Sequence, residues 1–251
     1  MMSANADITS CNTVGYNTVT VEAGKWYMLA PQFEDVANPG QDTIDLLKTL
    51  TTTGIKAQTY ANRLKGSEIQ VYNPATKGYT HYYYVQSGSG ASAVTQWRSS
   101  PAVPSSFPVK VGSGVWLHVV ELDGETATLT FNGQVKSATT FTKNVGGDNG
   151  EWDIISNPYP VALTLGMLTT EGLTAQTYAN RLKGSEIQVY NPATSGYTHY
   201  YYVQSGSGAS IVKQWRNTPA APADSTVLVG VGGSVWIHAL DEGTLTFTLN
   251  Q

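Results

Sequence analysis

Twenty consecutive residues, AQTYANRLKGSEIQVYNPAT at Ala57–Thr76, recur unchanged at Ala175–Thr194. A shift of 118 residues extends the match over Ala57–Arg98 and Ala175–Arg216, where three positions differ: Lys77/Ser195, Ala93/Ile211 and Thr95/Lys213. Looser echoes lie on either side. Gly24–Phe33 (GKWYMLAPQF) answers Gly150–Pro160 (GEWDIISNPYP), and Val111–Phe131 answers Val229–Phe247. A period of this length is that of a domain, well beyond the roughly 20–50 residues of a solenoid unit. The chain therefore divides into an N-terminal segment, 1–11, and two homologous domains, 12–135 and 136–251.

The residue types say what kind of domain is repeated. Only 13% of residues are charged, against about 25% in an average domain. Thr, Ser, Gly, Asn and 15 Tyr take their place, a mixture that suits strands and turns. Alternating runs such as NTVTVEAGKWYMLA, KVGSGVWLHVV and ATLTFNGQV have the two-residue period of half-buried strands. The expected fold is all-β: two β-sandwich or partly closed β-barrel domains with six to eight strands each and at most one short helix. That helix is placed at Asp42–Leu50, where Ile44, Leu46, Leu47 and Leu50 have helical spacing and Asp42 is an N-cap candidate.

Ser67–Val85 reads as a hairpin around the turn-forming cluster Asn73–Gly78. Setting Tyr72 against Tyr79 puts Gln70 opposite His81 and Glu68 opposite Tyr83, all on one face. Ile69, Val71, Thr80, Tyr82 and Tyr84 take the other, core-directed face. The second copy repeats the first face with Glu186, Gln188, Tyr190, Tyr197, His199 and Tyr201. Rings whose hydroxyls can also hydrogen-bond suit contact with a sugar or a protein. Tyr72, Tyr79, His81, Tyr83, Tyr190, Tyr197, His199 and Tyr201 are accordingly the candidate binding residues. Tyr is also a good strand former, so the same pattern fits a face with no ligand at all.

Catalytic signatures are weak. The four histidines form two equivalent pairs, His81/His199 and His118/His238, without the close spacing of a metal site. There is no G-x-S-x-G elbow. Glu121, Asp123 and Glu125 crowd a turn rather than flank a cleft. Asp148, Glu151 and Asp153 could offer oxygens to calcium, but not at EF-hand spacing. No cofactor, metal or enzymatic activity is expected. The net charge of −4 and the lack of basic runs argue against nucleic acid, and no apolar run is long enough to insert in a membrane as a helix. Cys11 is the single cysteine. The small residues of MMSANADITS resemble the end of a signal peptide, so a secreted chain is expected.

The order of motifs resembles a module common in secreted and cell-surface bacterial proteins. GEWDIISNPYP (Gly150–Pro160) is similar to its GWNLIGNPYP opening, and IQVYNPATSGYTHYY (Ile187–Tyr201) to its IYVWDPSTGAYVSY strand. VGGSVWI (Val231–Ile237) stands where the module has PGQGFFV, and Leu245–Phe247 matches its closing LTF. The first half shows the same order more loosely. The resemblance implies an extracellular β module without a general catalytic set. On this reading Trp26, Trp116, Trp152 and Trp236 would anchor the cores. The expected function is that of a non-catalytic structural or adhesive cell-surface protein that assembles with itself. The alternatives are a glycan- or protein-binding module using the Tyr faces, and a hydrolase.

Overall fold

The computed structural model describes residues 14–102, 104–147 and 150–249. The segment 1–11 with Cys11, and Asp148, lie outside these residues. Strands dominate, and no helix among the described residues is long and apolar enough to cross a membrane.

In residues 14–134 two sheets face each other. The smaller has Ala127–Gln134 at its centre, flanked by Val14–Val21 and Leu50–Thr53. The larger runs Trp26–Leu29, Val115–His118, Glu68–Asn73, Gly78–Ser87, and both Gln58–Thr59 and Val94–Arg98 pair with the last of these. The period-two alternation decides which side goes in. Ala127, Leu129 and Phe131 are buried, while Thr128 and Thr130 face out beside Thr18, Thr20, Thr51 and Thr53. From the larger sheet Ile69, Tyr82, Tyr84, Trp97 and Leu117 meet them. The Trp97 indole N–H crosses between the sheets to Thr52 Oγ1 at 2.9 Å, which satisfies the one polar group of a buried ring.

Residues 140–248 repeat these strand orders. Thr140–Val145, Gly243–Thr248 and Leu168–Glu171 make the small sheet, and Trp215 Nε1 donates to Thr170 Oγ1 at 2.9 Å.

Three expectations need correcting. Among the described residues each half holds eleven strands rather than six to eight, because two- and three-residue pieces such as Gln58–Thr59 and Pro108–Lys110 carry little sequence signal. The α-helix covers only Leu46–Thr49, and Asp45 rather than Asp42 caps it, its Oδ1 accepting from the Leu47 N–H. Thr43–Asp45 is strand instead. Tyr60–Lys65 and Tyr178–Lys183 add a 3-10 segment to each half. Finally, the buried tryptophans of the two main cores are Trp97 and Trp215. Trp26, Trp116, Trp152 and Trp236 occupy the opposite face of the larger sheets, because their strands turn Leu117 and Ile237 inward instead.

That opposite face forms a third core. Met28, Trp116 and Ile154 are buried together, packed by Trp26, Tyr72, Tyr190 and Trp236. The two halves meet here through reciprocal contacts. Leu29 bridges Gly233, and the corresponding Ile155 bridges Ser113. Ala30 N–H donates to Gly232 O at 2.7 Å, and Ser156 N–H donates to Gly112 O at 2.8 Å. Tyr72 lies edge-on to Trp236 as Tyr190 does to Trp116. A contact in which the same patch serves both partners is the isologous arrangement of a homodimer, realised here within one chain.

Candidate functional site: an aromatic cleft at the seam

The hairpin register is the one the turn dictates. Tyr72 opposes Tyr79, Gln70 opposes His81 and Glu68 opposes Tyr83, with the same pairs in the second copy. Neighbouring strands widen the face. His118 pairs with both Trp26 and Glu68, and Trp116 with Met28 and Gln70. Two rows therefore cross the sheet: Trp26–His118–Glu68–Tyr83 and Met28–Trp116–Gln70–His81.

Polar and flat groups hold one another in place along these rows. Glu68 accepts from Gln70 Nε2 at 2.8 Å and stands 2.8 Å from His81 Nδ1, which uses both carboxylate oxygens. Glu186 does the same with Gln188 at 2.7 Å and His199 at 3.2 Å. The His118 ring stacks on Trp26, with centroids 4.3 Å apart and planes 4° from parallel. Burial pushes the His118 pKa below the ordinary imidazole value, and Glu68 pulls part of the way back. The ring is therefore neutral at pH 7. Burial likewise pushes the phenols of Tyr72, Tyr79 and Tyr197 upward, so their hydroxyls stay protonated near neutrality.

The structure divides the candidate residues into three groups. Tyr72 and Tyr190 face the opposite half and are part of the seam. Tyr79 and Tyr197, 40% and 42% exposed, stand at the hairpin tips, each beside its seam tyrosine. His81, Tyr83, His199 and Tyr201 lie further along, His81 stacked with Tyr83 and His199 with Tyr201.

A cavity of about 290 Å³ opens at the seam, lined by Trp26, Gln70 and Trp116 of the first half and Tyr190, Ser195 and Tyr197 of the second. Four aromatic rings, an amide and a hydroxyl converge, and no lining residue carries a charge. The second half's hairpin tip thus completes a cleft founded on the first half's sheet. Ser195 takes a left-handed turn conformation (φ 52°), as does Lys77 at the same place in the other hairpin. One of the three differences between the copied blocks therefore falls on the cleft wall. Trp26, Gln70, Trp116 and Ser195 are not among the candidates that the sequence offers. The sequence does put Trp116 and His118 on one strand face, but nothing in it says that this strand lies beside Glu68–Asn73, or that the halves meet there.

No protein family, curated protein or solved structure matches the chain.

Proposed function

We propose that the chain is a non-catalytic adhesive protein of the cell exterior that holds a neutral carbohydrate in the seam cleft. The observation that carries this reading is the cleft's lining. A sugar presents C–H faces that stack on Trp26, Trp116, Tyr190 and Tyr197, and hydroxyls that bond to Gln70, Ser195 and the phenols. The absence of a carboxylate from that lining, with both Glu68 oxygens already engaged, supports binding over hydrolysis. The exterior location rests on the resemblance to secreted modules. A titration of the intact chain with arrayed neutral and acidic glycans tests the proposal. It expects saturable binding of neutral sugars that Trp26→Ala removes, and a blank array overturns it.

The structure gives a second reading one specific support. Among the described residues Val14–Val21 is an edge strand of the small sheet, and Val14 and Tyr16 are among its exposed side chains. Such an edge can recruit another copy of the chain, as a self-assembling surface subunit would. Sedimentation over a range of concentrations distinguishes a growing species from a monomer.

A further inference from the structure

The seam cleft does not stand alone on its sheet face. A second depression of about 470 Å³, lined by Leu64, Lys65, Gly66, Glu68, His81, Tyr83, His118 and Val120, lies on the same sheet face. The two are joined by groups in direct contact. Trp26, in the wall of the cleft, stacks on His118, in the wall of the depression. Gln70 of the cleft donates to Glu68 of the depression. Along Gly78–Ser87 the rings succeed one another at 6.3 Å (Tyr79 to His81) and 6.1 Å (His81 to Tyr83), and the Arg63 guanidinium lies over Tyr83. Leu64, 74% exposed, supplies an apolar side chain to the wall of the depression.

Resting on the proposed carbohydrate reading, we infer that this face binds an extended oligosaccharide. One unit occupies the seam cleft, and the following units lie over the Trp26–His118 stack and the His81–Tyr83 pair toward Leu64. A ring of planar groups repeated along a strand suits a chain of repeated rings, because each added unit gains a stacking face of its own. The ligand class is therefore a linear polysaccharide rather than a free monosaccharide or a glycan terminus.

The test is a length series. Isothermal titration of the full chain uses glucose-, xylose-, mannose- and N-acetylglucosamine-based oligosaccharides from monosaccharide to hexasaccharide. Affinity should rise by roughly tenfold or more from the shortest binder to the longest. Leu64→Ala and Tyr83→Ala should each erase most of that gain. Both side chains lie outside the folded cores, and a circular dichroism melt checks that the variants fold. Equal affinity at all lengths overturns the extended site but leaves the cleft proposal standing. Binding by none of the four series overturns both.

Discussion

Tyr72 and Trp236, from opposite halves of the chain, meet edge to face with ring centroids 5.0 Å apart and planes at 72°. Tyr190 and Trp116 repeat the contact at 4.9 Å and 74°. Trp116 is only 6% exposed, and the rings around it hold the two sandwiches together. Trp116→Ala should cost about 3–5 kcal/mol, the range for emptying a buried aromatic site. It should also uncouple the halves. Calorimetry is expected to show one transition for the wild-type chain and two for the variant.

Tyr159 fills the position in the second half that Phe33 fills in the first, and both are buried. Its hydroxyl has no hydrogen-bond partner among the described residues. A buried donor left unpaired costs about 1–3 kcal/mol. Tyr159→Phe should therefore raise stability by about 1 kcal/mol, read as a higher urea midpoint at unchanged slope. Phe33→Tyr should lower it.

Lys143 reaches across the seam. Its Nζ lies 2.8 Å from Asp153 Oδ2 and donates to Ser113 Oγ at 2.9 Å. Burial pushes the amine below its ordinary range, and the Asp153 carboxylate opposes that shift. Lys143→Met strands a buried carboxylate and should cost about 3–5 kcal/mol. Lys143→Met with Asp153→Leu removes both charges and should recover most of the loss, as chemical denaturation of the pair of variants would show.

The neutral His118 gives the fold a pH dependence of known sign. The unfolded ring takes up a proton near about 6.5, the folded ring only at lower pH. Between those values the unfolded chain binds more protons, so stability falls as pH drops through that window and is retained above it. His118→Phe keeps a ring on Trp26 but cannot titrate. Urea midpoints at neutral and mildly acidic pH should fall less in this variant than in the wild type.

How far these features are legible in the chain depends on the range of the interactions. The Tyr72–Tyr79 register follows from a turn only a few residues long and from period-two alternation, both local. The inward face of Ile69, Tyr82 and Tyr84 follows from the same alternation. The cleft does not, because Trp26, Gln70, Trp116 and Ser195 are brought together by strand order and by the meeting of two halves. Trp26 and Trp97 illustrate the difficulty. Each sits in an alternating run, and only the pairing of Val94–Arg98 with the far end of Gly78–Ser87 turns Trp97 inward while Trp26 faces the seam.

The claim on which the rest depends is that both halves build one carbohydrate site. Tryptophan fluorescence of the intact chain, titrated with the hexasaccharides, tests it directly, with Tyr197→Ala measured beside the wild type. Trp26 and Trp116 belong to the first half and Tyr197 to the second. The account predicts a saturable change in emission for the wild type that the substitution in the other half abolishes. A flat titration, or a Tyr197→Ala variant that binds as the wild type does, would contradict it.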